Sequence, residues 1–305
     1  MGPLLVLIYI NDLALVSSKL FSLLFADDSN MFLTGKDPNE LIRHMNIEIK
    51  HVIDWLKVNK LSLNLKKTHF IIFQRRRAKF TVSEDLIIDG VKIDIKDDTK
   101  FLGVMIDKHL SFQQHVQYIK GKVARGIGIL YKCKRVFGQE TLKTLYNCFL
   151  YPYLNYCISV WGSTYQTYLD PLSKLQKRAI RLIAGVRRLT HSDPLFKQLR
   201  ILKLDEIYIY STQMFMLKYH NNAIPNIFES YFEKNSYHHS HETRSQNLYR
   251  PPLMYYDVSK RTVRATGVRI YNYFARSELS GCCFSSYNSA LKGYLIDNNI
   301  SLNSM

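Results

Sequence analysis

The apolar positions change their period along the chain, and those changes divide it. Residues 3–16 are almost all apolar apart from Asn11 and Asp12, which predicts a buried helix with Pro3 tolerated in its first turn. Two short apolar runs at 20–25 and 31–33 then flank Asp27 and Asp28, the pattern of a buried β-hairpin with two carboxylates at its tip. Next, Asp37, Pro38 and Glu40 supply an acidic cap, a proline at the first helical position and an acidic first turn. Leu41, Met45, Ile49, Val52 and Leu56 follow at helical spacing, predicting a helix that ends near Asn59. Residues 68–73 read as a strand whose solvated exit is Arg75, Arg76 and Arg77. Residues 86–93 read as a hairpin turning on Asp89 and Gly90, and 101–106 as one more strand. Helix and strands alternate up to about residue 110, which predicts an α+β layer.

Beyond residue 111 the period is helical only. Around 172–183, Leu172, Leu175, Ala179, Leu182 and Ile183 share one face, while Lys174, Lys177, Arg178 and Arg181 fall at i, i+3, i+4 and i+7 on the other. Residues 204–221 read as a further helix and 221–252 as polar loop. Residues 261–298 read as one helix and a short final segment. No internal repeat or low-complexity stretch is visible.

Composition narrows the class. Of 305 residues 47% are hydrophobic and 13% aromatic, enough for a packed core and too apolar for a disordered chain. The net charge is +17, and residues 111–203 hold 16 basic against three acidic residues, so +13 of it lies there. Basic residues spread through folded, tyrosine-rich segments point to nucleic acid rather than a membrane surface. The basic stripe on 172–183 can follow a phosphate backbone; the alternative is a solvated face without a partner. The five cysteines form no CxxC or regular framework, which suits a reducing compartment. The first apolar run lacks a basic flank and is cut short, so it predicts neither a signal peptide nor a membrane span, and an intracellular protein is expected, in cytoplasm and nucleus. His238, His239 and His241 are not expected to bind metal, since the adjacent Cys282 and Cys283 lack ligand spacing.

Adjacent carboxylates on a tight turn resist joint ionisation unless a cation lies between them, and Mg²⁺ is the obvious one. A pair of such ions clamps the attacking and leaving oxygens in phosphoryl transfer. Alone, a Phe-x-Asp-Asp string is a weak signal with an exposed turn as its alternative; its neighbours strengthen it.

Four blocks stand in one order. They are Gly2-Pro3 with the apolar run to Leu13; Leu24-Phe25-Ala26-Asp27-Asp28-Ser29; Trp55-Leu56 with Asn59 to Asn64 and Lys67-Thr68; and Phe101-Leu102-Gly103-Val104 with the run to Asp107. Together they resemble the reverse transcriptase of non-LTR (LINE-type) retrotransposons. Looser similarity covers 146–161 and 175–183, then His241, Thr243 and Arg244, and Gly267, Arg269, Tyr271 and Asn272. Tyr271 stands where that last signature has Trp, and the Leu-Pro after it is absent.

The resemblance implies a partial polymerase palm over 1–110, an antiparallel sheet with helices, then a basic helical thumb over 111–190 and a mostly helical C-terminal extension over 191–305. It implies RNA-directed DNA synthesis with Mg²⁺ on an RNA template and DNA primer, with dNTP as substrate; no membrane and no obligate protein partner are expected. Asp27 would be the metal-binding carboxylate nearest the primer end and incoming nucleotide, with Asp28 supporting it. Lys67 would lie near the departing pyrophosphate, against the alternative of a solvated lysine. Phe101, Leu102, Gly103 and Val104 would form a hairpin positioning the primer, against the alternative of plain core packing.

The family also carries an essential Asp on an upstream strand, which this sequence lacks; Asp12, Asp89 and Asp107 are poor substitutes. The expectation is therefore a C-terminal half whose two-metal site is incomplete and which is inactive alone. The rivals are a non-catalytic nucleic-acid-binding module and an unstable remnant with an unprotected sheet edge.

Overall fold

In the computed structural model, residues 2–78, 80–237, 245–281, 284–302 and 305 are described, and they fall into two compact units. The first comprises 1–101 and 107–110, the second 102–106 and 111–305. The histidines at 238, 239 and 241, with Thr243, Arg244 and the cysteines at 282 and 283, lie outside the described residues.

The first unit is α+β with small sheets. Helix α1 (Gly2–Ile10) runs into a 3₁₀ turn (Asn11–Leu15), then β1 (Phe21–Phe25) and β2 (Asp28–Phe32) pair antiparallel. Helix α2 (Pro38–Val58) starts where its cap predicts: the Asp37 side chain accepts the amide of Asn39 at 3.2 Å, with Pro38 in the first turn. Short strands follow: β3 (His69–Phe70), β4 (Ile87–Ile88), β5 (Val91–Lys92), β6 (Asp94–Ile95) and β7 (Asp98–Phe101).

These strands form separate two-stranded ladders, β1 with β2, β4 with β5 and β3 with β6, not one continuous sheet. The β3–β6 pair is parallel, which the expected antiparallel sheet did not include. Strands two to five residues long offer too few backbone groups to recruit further neighbours. The core gathers Leu13, Leu20, Ile42, Ile49, Val52, Ile53, Leu86, Ile88 and Ile93 around α2. Asn46 fastens the β4 segment to that helix, donating to the Asp85 carbonyl at 2.8 Å and accepting from the Ile87 amide at 2.9 Å.

Residues of α1 depart from the expected buried helix. Leu4, Leu5, Val6, Leu7, Ile8 and Tyr9 are all about half or more exposed. An apolar run predicts burial only where another element covers it, and none among the described residues does.

The hairpin of β7 and β8 (Val104–Asp107) carries the chain into the second unit. That unit is helical: α3 (Gln113–Cys133), α4 (Gln139–Phe149), α5 (Tyr151–Asn155), α6 (Ile158–Trp161), α7 (Gln166–Ile183), α8 (Asp193–Leu199), α9 (Leu204–His220), α10 (Asp257–Lys260), α11 (Val263–Phe274) and α12 (Phe284–Asn298). The expected single tail helix is two, α11 and α12, separated by a 3₁₀ turn at Glu278–Gly281. Helix α3 packs along α7, and α9 packs on α6, α11 and α12. One core runs from Val116 to Ile300 and includes the fully buried Trp161, Tyr146 and Leu172. The buried Gln176 is paired within it, donating to the Tyr146 hydroxyl and the Leu202 carbonyl, both at 2.9 Å. No helix among the described residues is long and apolar enough to cross a membrane.

Candidate nucleotidyl-transfer site

Asp27 and Asp28 stand at the tip of the β1–β2 hairpin, as the sequence predicts. Phe25 pairs with Asp28, leaving Ala26 and Asp27 as a two-residue turn. Ala26 takes φ +50°, a left-handed conformation that this hairpin geometry reserves mainly for glycine. The base of the hairpin is held by Phe21 against Phe32, ring centroids 6.0 Å apart. Its entry is fixed by the buried Glu48 of α2, which accepts from Ser17 Oγ at 2.8 Å and pairs with Lys19 at 3.1 Å. The Ser17 hydrogen bond, then Lys19, hold the Glu48 carboxyl below its ordinary value, so this anchor is ionised at neutral pH.

Both tip carboxylates are exposed, and neither is engaged by another side chain among the described residues. Free, adjacent carboxylate oxygens fit a hard divalent cation, which takes one or two carboxylates and completes its shell with water or phosphate oxygens. They are a pair only: no group of three His, Cys, Asp or Glu able to hold a metal occurs among the described residues. The possible substitutes are occupied elsewhere. Asp12 accepts from Trp55 at 3.3 Å, Asp89 pairs with Lys57 at 2.9 Å, and Asp107 accepts the His109 amide at 3.2 Å.

Lys67 lies in an exposed turn before β3, and no ion pair or hydrogen bond joins it to Asp27 or Asp28. Phe101 ends β7 and the buried Val104 begins β8, so the segment is a hairpin, as the resemblance implies, and not the single strand its periodicity suggests. Leu102 and Gly103 form its turn, with φ +43° and +86°. Two residues the sequence did not single out touch that turn's flanks: the Tyr156 hydroxyl donates to the Leu102 carbonyl at 2.6 Å, and His115 Nδ1 accepts the Met105 amide at 3.2 Å. No local pattern announces either contact.

On α7, Lys174, Lys177 and Arg178 are exposed, opposite the buried Leu172, Gln176, Ala179 and Ile183. Arg181 is half-buried and its Nε donates to the Thr190 carbonyl at 2.7 Å, so part of its guanidinium closes the following loop. Burial raises the Asp205 carboxyl, with the Lys177 charge opposing it, whereas Asp193 lies below its ordinary value because Lys203, far more than Lys177, outweighs its burial. Around these acids is a cavity of about 260 Å³ lined by Lys177, Asp193, Lys203, Asp205 and Glu206. Burial raises the Glu206 carboxyl to about 7 although it accepts the Lys203 amide at 2.8 Å.

Among known proteins, the chain is 24% identical over 234 residues to a probable RNA-directed DNA polymerase from transposon X-element of Drosophila melanogaster, covering 73% of this chain and 25% of that one. It is 23% identical over 219 residues to the corresponding protein of transposon BS from the same organism, covering 68% and 24%. It is 24% identical over 171 residues to a Pol polyprotein of the type-1 retrotransposable element R1 of Bradysia coprophila, covering 53% and 17%. The chain thus spans about a quarter of the length of the first two. No family model and no solved structure matches it. The chain is thus similar to RNA-directed DNA polymerases of non-LTR retrotransposons.

Proposed function

We propose that this chain carries the carboxylate turn, the primer-holding hairpin and the basic helical region of a reverse transcriptase, and takes part in RNA-templated DNA synthesis. The carrying observation is the pair Asp27 and Asp28, exposed and without a side-chain partner among the described residues at the tip of a hairpin whose turn residue Ala26 has φ +50°, in a chain similar to RNA-directed DNA polymerases. In this reading residues 1–110 are the palm, 111–190 the thumb and 191–305 an extension.

Asp27 and Asp28 hold Mg²⁺, Asp27 being closer to the primer 3′ end and the incoming dNTP, and Lys67 meets the departing pyrophosphate. The ions, when bound, stabilise charge on the attacking and leaving oxygens of an in-line displacement. Asp27 and Asp28 would hold those ions, and Phe101 to Val104 would keep the primer end in reach. Two carboxylates without a third ligand among the described residues leave the nucleophile poorly placed, and a misplacement of about 1 Å costs on the order of a hundredfold in rate. The 305 residues alone are therefore not expected to polymerise.

Mn²⁺, a paramagnetic substitute for Mg²⁺, tests the site without needing turnover. It should broaden the backbone signals of residues 26–29, and Asp27→Asn with Asp28→Asn should remove the effect. Unbroadened signals at millimolar Mn²⁺ sink the metal assignment. Primer extension on an RNA template by this chain, abolished in Asp27→Ala, would overturn the incompetence while keeping the lineage.

A second reading, a nucleic-acid-binding module without catalysis, is favoured by the +13 charge of residues 111–203. It expects charge reversal at Lys174, Lys177 and Arg178 to weaken duplex binding and flatten its salt dependence by about 0.9 per lost phosphate contact. Arg181 should contribute least of the stripe, because of its bond to Thr190.

A further inference from the structure

The turn at Leu102 and Gly103 places two consecutive residues in the left-handed region, at φ +43° and +86°. Glycine tolerates this; a bulky leucine adopts it only where its surroundings over-determine it. The surroundings here are specific. The Tyr156 hydroxyl donates to the Leu102 carbonyl at 2.6 Å, and a Cβ on Gly103 would lie 3.2 Å from Tyr156 Cε1, so the phenol lies flush against the turn.

Tyr156 is itself fixed from behind. Its carbonyl accepts from Nε1 of the fully buried Trp161 at 2.8 Å, and Trp161 meets the buried His115 edge to face at 5.4 Å. His115 Nδ1 then accepts the Met105 amide at 3.2 Å. Contacts thus pass from Leu102 through Tyr156, Trp161 and His115 back to Met105, and every member belongs to the second unit. The turn is bracketed from both flanks by the helical core, although β7 leads into it from the first unit.

We infer that Tyr156 is a positioning residue: its hydroxyl locks the Leu102 carbonyl and so holds the strained turn to the helical unit. Resting on the reading of this hairpin as the primer-holding element, Tyr156 thereby sets where a DNA 3′ end lies. The helical unit then supplies primer register as well as charge.

Tyr156→Phe in the full chain removes the hydroxyl and keeps the ring against Gly103. Amide exchange in residues 102–105 should rise at least tenfold, with the amides of Val123 and Leu172 unchanged. A primer–template duplex carrying 2-aminopurine at the primer 3′ terminus should lose at least half of its fluorescence response on binding, while affinity stays within twofold. Unchanged exchange overturns the anchor. Raised exchange with an unchanged 2-aminopurine response overturns the role at the primer end. A wild-type chain that binds the duplex with no 2-aminopurine response overturns the primer-holding reading itself, while the exchange result still decides the anchor.

Discussion

The two units bury their apolar residues very differently. Among the described residues, nine buried ones around α2 form the core of the first, whereas 33 form the main core of the second. The first unit also leaves Phe21, Leu23 and Phe25 exposed along one face of β1, and six successive apolar residues of α1. Its ladders among the described residues are two-stranded, so each strand has one edge without a ladder partner. Hence the candidate metal-binding carboxylates stand on the less consolidated unit, while the turn assigned to the primer is locked into the better consolidated one. In this molecule the groups that would do chemistry and the groups that would place the substrate rest on cores of unequal strength.

The largest expected effect follows directly. In native-state hydrogen exchange, amides of α3, α7 and α9 should be protected by about three orders of magnitude more than those of β1 and β2, because opening free energy scales with local burial. Equal protection would remove the contrast. Next come single substitutions. Leu172→Ala, at a fully buried site, should cost about 2–5 kcal/mol in urea unfolding followed by a second-unit probe. Leu5→Ser, at a side chain 60% exposed, should change stability by no more than about 0.5 kcal/mol and raise solubility. A large loss from Leu5→Ser would mean that α1 is covered after all.

How far the sequence foretold this division depends on the range of each signal. Local chemistry was readable: the Asp37–Pro38 cap starts α2, Asp89 and Gly90 turn the β4–β5 hairpin with φ +46° and +77°, and Asp27 and Asp28 crown β1–β2. The α2 face was readable only approximately, since Ile42 and Ile53 are buried where Leu41 and Leu56 were expected to lead. Tertiary choices were not readable. The run at 4–9 has the composition of a buried helix, yet burial is a property of its neighbours. Tyr156 reaches Leu102 across 54 residues and Trp55 reaches Asp12 across 43, and no periodicity encodes such pairs. Strand lengths failed likewise, because a strand extends only as far as a partner pairs with it; hence 68–73 shrinks to His69–Phe70.

A smaller effect separates the second unit's titrating groups. Burial lowers His115 to about 4 from 6.5, and its Nδ1 accepts a hydrogen bond, so the ring is neutral with its proton on Nε2. A histidine with a lowered folded-state value contributes stability that is intact above about 6.5 and lost as pH falls toward 4. Glu206 works in the opposite sense: its carboxyl, raised to about 7 from 4.5, loses stability as pH rises through that interval. NMR should therefore find the His115 ring signals constant between pH 7.5 and 5, and Glu206 still titrating near neutrality. A His115 midpoint near 6.5 would mean that burial does not hold the ring neutral.

The smallest effect concerns the carboxylate turn. Ala26 at φ +50° carries strain of about 1 kcal/mol that glycine would not. Ala26→Gly also loosens the unfolded chain, at a cost of about 0.4–1 kcal/mol, so the two contributions nearly cancel and global stability should change little. Precision at the tip should not cancel. With glycine, the turn gains access to other φ values, and Mn²⁺ broadening at residues 26–29 should weaken even though Asp27 and Asp28 are untouched. Its counterpart, Gly103→Ala, adds both a strained φ and a methyl group against Tyr156, and should lower stability by about 1–3 kcal/mol. A free hairpin tip would thus respond to glycine chiefly in metal geometry, and a bracketed turn would respond to alanine chiefly in stability. If Ala26→Gly instead leaves the metal response intact, strain at that tip plays no part in holding the two carboxylates, and hairpin pairing alone sets their separation.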